Sequence, residues 1–103
     1  FVDLYFAHTG RDAKVIAMKL AEEVRKAGMS VKVDLTEASL KTQVKRAFRN
    51  SAEFLAIFGE EELKTGKISV RWLNGEEGEV RQRKVPYAEM VDFLRKNKIG
   101  NGS

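Results

Sequence analysis

Cysteine is absent from all 103 residues, which excludes thiol catalysis, disulfide frameworks and cysteine-bound metal together. That absence also fits a reducing compartment. Histidine occurs once, as His8, so a metal site would rest on carboxylates alone, and a Ser-His-Asp arrangement would need that single ring to meet a serine through folding. No spacing in the chain supports either, and the expectation is no catalytic residue, no metal and no cofactor. Apolar runs reach only a few residues, so neither a membrane span nor a secretory h-region is expected within this stretch, and the reading is a soluble, cytoplasmic protein. Repeats and low-complexity segments are missing as well.

The chain is long enough for one domain with its own core and too short for two. Nineteen Lys and Arg against fifteen Asp and Glu leave a net charge of +4, a modest excess that argues only weakly for a polyanionic partner. Its distribution says more. Lys41, Lys45, Arg46 and Arg49 fall close together with no acid among them, while Glu60, Glu61 and Glu62 make a compact acidic turn. A first residue that is Phe and a last stretch of Gly100-Asn101-Gly102-Ser103 lead us to expect an excised piece of a larger protein, with a domain over 1–97 and a flexible tail over 98–103.

Phe1 to Ala7 alternates, Val2, Leu4 and Phe6 against Asp3, Tyr5 and Ala7, which predicts a strand. Ala13, Ile16, Ala17, Leu20, Val24 and Ala27 then recur at helical spacing, and Gly28 suits the C-terminal cap. Met29 to Leu35 reads as a second strand, parallel to the first because a helix joins them. At its end the period changes from two to 3.6. Thr36 is placed to cap a second helix that runs to about Asn50, with Leu40, Val44 and Phe48 as its packing stripe. Glu53 to Phe58 is apolar almost throughout, as expected of a strand covered on both faces in the middle of a sheet. Gly59 to Gly66 reads as a solvated acidic turn with at most a single helical turn. Lys67 to Leu73 forms a fourth strand, Asn74-Gly75 signals a hairpin turn loosened by Glu76 to Glu79, and a fifth strand follows at about Val80 to Val85, antiparallel to the fourth. Pro86 suits the first position of a last helix whose buried stripe is Tyr87, Met90, Val91 and Leu94, with fraying from Lys96 onward. The fold class is α/β: a three-layer, mixed five-stranded sheet with helices on both faces.

Strand-to-helix junctions are where open α/β sheets place ligands, and Asp34, Thr36, Glu37 and Ser39 surround one here. Two readings stand beside each other: exposed backbone N–H groups meeting an anion or base edge, or Asp34 and Thr36 simply capping the helix. The second helix likewise presents either a solvated charged face or a cationic ridge for phosphates. Arg71 and Trp72, late in the fourth strand, would hold an unstacked base if exposed, but the alternation of Ile68, Val70 and Trp72 favours the core for the tryptophan. His8-Thr9-Gly10 falls short of any glycine-rich phosphate loop.

In order and spacing, AKVIAMKLAEEVRKAG (13–28), Val31 to Leu35 with Ser39-Leu40-Lys41-x-Gln43, Gly59 to Leu63 with Gly66, and Val85-Pro86 before a last helix resemble the C-terminal anticodon-binding domain of class II aminoacyl-tRNA synthetases. The histidyl branch is the most similar, over about residues 2 to 95. This resemblance implies a non-catalytic module that docks the anticodon stem-loop of a tRNA, expected to be tRNA-His, while a separate catalytic domain of a homodimeric parent uses ATP. Carried over by position, the RNA-facing places hold Glu37, Ala38, Ser39 and Lys41, then Glu62 and Lys64, then Arg71 and Trp72; Lys45 and Arg49 are added from the basic helix as phosphate contacts. The chain departs from the histidyl pattern at Ala38, where an Arg is common, at Arg46-Ala47-Phe48-Arg49, where a Tyr-Ala-Asp or Tyr-Ala-Asn-like run is common, and at Asn50-Ser51, where a glycine is often found. Those departures leave a second reading: a degenerate synthetase-like module for interaction or dimerisation.

Overall fold

A computed structural model of the chain describes residues 2–73 and 81–98. The elements run β1 (Val2–His8), α1 (Arg11–Lys26), β2 (Val31–Val33), α2 (Leu40–Arg49), β3 (Ala52–Phe58), α3 (Glu60–Thr65), β4 (Lys67–Trp72), β5 (Arg81–Pro86), a 3-10 turn (Tyr87–Glu89) and α4 (Met90–Asn97). The five strands form one sheet in the order β2-β1-β3-β4-β5. β1 is parallel to both β2 and β3, and β4 is antiparallel to β3 and β5. The expected mixed three-layer α/β sheet is what the chain forms, with the apolar β3 at its centre. Asn74-Gly75 and the Glu76 to Glu79 loop lie outside the described residues.

Alternation along the strands sorts the side chains into two cores. Leu4 and Phe6 of β1, Phe54, Ala56 and Phe58 of β3, and Ile68, Val70 and Trp72 of β4 meet Ala13, Ala17, Ala21 and Val24 of α1 and Met90 and Leu94 of α4. On the other face Tyr5, Ala7 and Leu55 meet Ala47, with Leu40 and Val44 packed alongside, all three from α2. Small alanines along α1 let the helix lie close to a sheet whose own side chains are large. α1 ends as expected: Gly28 takes φ +92°, open to glycine and costly for other residues, while its N–H donates to Arg25 O and Met29 N–H to Val24 O.

Several boundaries differ from the sequence expectation, each for a local reason. β2 stops at Val33 instead of Leu35, because the Asp34 carboxylate accepts from both the N–H (3.0 Å) and the hydroxyl (2.6 Å) of Thr36 and closes a turn there. Thr36 therefore does not cap α2; Ser39 does, its hydroxyl accepting from Thr42 N–H at 3.3 Å. Phe48, assigned to the packing stripe, is 57% exposed, and its place is taken by Gln43 and Ala47. The acidic segment is a true short helix, with Glu62 turned inward: one carboxylate oxygen accepts from Gly59 N–H (2.9 Å) and the other from the Ser69 hydroxyl (3.0 Å). Pro86 closes β5 ahead of the 3-10 turn rather than opening the helix, and α4 stays helical through Asn97.

Candidate nucleic-acid interface

The segment from Asp34 to Arg49 is built around two polar side chains that the fold encloses. Gln43 is 1% exposed. Its Oε1 accepts from His8 N–H, and its Nε2 donates to the carbonyls of His8 and Ala38, each at 2.8 Å. One amide thus ties the end of β1 to the loop before α2, and a buried amide is stable only when satisfied in this way. The imidazole of His8 donates through Nε2 to the Asp34 carbonyl. The lone histidine is therefore part of the loop's support.

Asp34 is the second enclosed group. Its carboxylate accepts from the Tyr5 hydroxyl (2.8 Å), from Thr36, and from the Arg46 guanidinium (3.1 and 3.3 Å). Arg46 also donates to the Thr36 hydroxyl at 2.6 Å, and that hydroxyl accepts from Ala38 N–H at 3.2 Å. One donated and two accepted bonds use the full capacity of a hydroxyl. Burial opposes ionisation of Asp34, but the bonds from Thr36, Tyr5 and Arg46 outweigh it and hold the carboxyl at about 2. Tyr5 is pushed up to about 12, first by burial and then by the carboxylate it donates to.

This framework divides the cations of α2. Arg46 is committed inward to Asp34, while Lys41, Lys45 and Arg49 are exposed and have no partner among the described residues. At about 100° per residue those three fall within one outer stripe of the helix. Glu37 is exposed in the loop ahead of them. The amides of Leu40 and Lys41 precede the first bond of the helix, Gln43 N–H to Ser39 O, so they open outward at its positive end.

The remaining residues carried over from the resemblance separate into two groups. Arg71 is half-buried on the α2 side of β4, where it directly opposes Gln82, and its guanidinium donates to Gln82 Oε1 at 3.1 and 3.2 Å. Lys84, on the same face, pairs with Glu61 at 2.7 Å, which lowers the pKa of Glu61 and raises that of Lys84. Lys64 is exposed near the end of α3. Glu62 and Trp72, in contrast, face inward. Glu62 is 8% exposed and braces α3 against β4. Trp72 packs edge-on against Phe54 and Phe93 on the α1–α4 side, and the Arg81 guanidinium lies 4.4 Å from its ring centroid. The alternation of β4 had pointed to that outcome for the tryptophan. Gln43, the Asp34–Arg46 pair and the exposure of Phe48 were missed; the available signals were a glutamine on the inner face of the helix, and an acid that follows the edge strand twelve residues before an arginine.

Fold and geometry together define a three-layer α/β binding module whose sheet is open on one side beside a cationic helix; among the described residues no group of three or more His, Asp or Glu could hold a metal. The family model described as an anticodon binding domain matches residues 5–97, and the chain belongs to that family. A histidine–tRNA ligase of Burkholderia ambifaria is 41% identical over 100 residues, covering 90% of this chain and 22% of that protein. One from Burkholderia mallei is 40% identical with the same coverage. Among solved structures, apo S. aureus histidyl-tRNA synthetase is 28% identical with a TM-score of 0.77, covering 90% of this chain and 23% of that one. The RNA binding domain of threonyl-tRNA synthetase from Cryptosporidium parvum shares the fold at 13% identity and a TM-score of 0.81, over 92% of this chain and 23% of that one. The chain thus spans about 22% of the length of the curated relatives.

Proposed function

We propose that the chain is the tRNA anticodon-binding module of a histidine–tRNA ligase and that it binds without catalysing. The observation that carries this reading is the outer stripe of α2, where Lys41, Lys45 and Arg49 stand unpaired among the described residues, beside a loop fixed from within by Gln43 and Arg46. Unpaired cations on a rigid element suit phosphates, and a fixed loop edge suits the bases of an RNA loop, the form of RNA that proteins read most directly. In this reading Glu37, the amides around Ser39, and Lys41 meet base edges, Lys45 and Arg49 meet phosphates, and Lys64 and Arg71 extend the surface. Glu62 and Trp72 act from the core. The partners are the tRNA-His anticodon stem-loop and the catalytic domain of a cytoplasmic, homodimeric parent; ATP belongs to that domain, and this module holds no cofactor.

Titration of the chain with the tRNA-His anticodon stem-loop and with an anticodon-substituted stem-loop tests the reading. Tighter binding to the native loop is expected, and negligible binding to both contradicts it. One observation favours the second reading, a synthetase-like interaction module: Val15, Met18 and Leu35 are exposed, and Met18 and Leu35 line a groove of about 520 Å³ with Val31 and Val33 along the β2 edge. Light scattering separates the two, since a stable dimer without RNA affinity supports only the second.

A further inference from the structure

Ala47 is fully buried against the sheet, so its neighbours Arg46 and Phe48 flank it about 100° to either side. Arg46 reaches Asp34 at the end of β2, which fixes its flank as the one toward the β2 edge. Phe48 therefore stands on the flank toward β3 and β4. Only Asn50 and Ser51 separate α2 from β3, so Phe48 lies at the end of the sheet where β3 begins; Arg71 lies further along the same face, paired in register with Leu55 at the middle of β3. On this side of β4 and β5 Gln82 is exposed and Arg71 half-buried, while Lys84 pairs with Glu61 of α3.

Phe48 is 57% exposed and has no aromatic partner among the described residues, whereas Trp72, Phe54, Phe58, Tyr87 and Phe93 all do. It stands one residue before Arg49, three after Lys45 and seven after Lys41, cations that have no acid to pair with on α2. An exposed phenyl ring at the edge of a cationic stripe matches the pattern of single-stranded nucleic acid, a flat apolar base between phosphates. We infer that Phe48 is a stacking platform for an unpaired nucleobase, with Lys45 and Arg49 holding the flanking phosphates. The inference rests on the RNA-binding reading above and deepens it. Every base has a face to stack, so this contact supplies affinity, and the identity of the base is read elsewhere. The platform falls within the run where the chain departs from the histidyl pattern.

The test uses the whole chain and a tRNA-His anticodon stem-loop RNA, with Phe48→Ala, Phe48→Trp and Lys45→Ala compared with the original protein across a salt series. Circular dichroism confirms that each variant is folded. Phe48→Ala is expected to weaken binding roughly fivefold or more with an unchanged salt slope, as loss of stacking without loss of charge requires. Lys45→Ala should flatten the slope. Phe48→Trp should retain affinity, and its new exposed indole should be quenched when RNA binds. If the original protein binds RNA and Phe48→Ala binds equally well, the platform is wrong and the RNA reading stands. If the original protein does not bind RNA at all, both fail. A dimer of the original protein that Phe48→Ala dissolves would assign Phe48 to a protein interface and overturn the inference.

Discussion

On one side of the sheet α1 and α4 close over Leu4, Phe6, Phe54, Ile68 and Trp72, whereas on the other α2 alone covers Tyr5, Ala7 and Leu55, and Gln82 is exposed beside a half-buried Arg71. The two aromatics Trp72 and Phe48 express the difference. Trp72 is enclosed by two rings and an arginine, while Phe48 is more than half exposed beside unpaired cations. One side holds the domain together, and the other, half covered and held from within by polar side chains, is available to a partner.

The two sides should differ most in their contribution to stability. Phe6→Ala removes a fully buried ring from the larger core and should cost about 3–5 kcal/mol in urea unfolding. A cost near zero would mean that this side is not the stabilising one. Asp34→Asn strips the charge from the network under α2 and should cost about 1–3 kcal/mol at neutral pH. The same group sets the acid response. With its carboxyl held at about 2 against a usual 3.8, Asp34 contributes fully above 3.8 and loses its contribution as pH falls through 2, so acid unfolding should flatten in Asp34→Asn. At the alkaline end Tyr5, raised to about 12 from 10, contributes fully below 10 and loses it as pH rises through 12, a loss that Tyr5→Phe should abolish.

Changes on the outer stripe should leave stability alone and alter binding. Lys45→Glu with Arg49→Glu is expected to weaken stem-loop binding and to lower the salt slope by roughly 1–2, since about 0.7 of a counterion is released per phosphate contact on single strands. An unchanged slope would remove α2 from the interface. The smallest effect is the sharpest contrast: Phe48→Ala should change unfolding free energy by no more than about 0.5 kcal/mol, as exposed sites do. Trp72→Ala should cost about 3–5 kcal/mol.

Most of the fold was legible because its elements change period cleanly: alternation in β1 and β4, a continuous apolar run in β3, and three-to-four spacing in α1 and α4. What escaped were positions where a polar side chain overrides the pattern. Asp34 captures the next turn and ends β2 early, Gln43 takes an inner place on α2 against β1, and Phe48 lies outside the core. Glu62 escaped for a related reason, since adjacent glutamates in a short helix face different ways and only one reaches Ser69. The cations of α2 were legible as a group. Their division into one structural arginine and three open charges was not, because Asp34 becomes the neighbour of Arg46 only through the fold.

The claim that the half-covered side receives RNA is tested most directly by mapping backbone amide shifts in the isotope-labelled chain during titration with the tRNA-His anticodon stem-loop. The perturbed amides are expected to cluster from Glu37 to Arg49 and around Arg71 and Gln82, with α1 and α4 unchanged. Perturbations that cluster on α1 and α4, or along the Met18–Leu35 groove at the β2 edge, would contradict it.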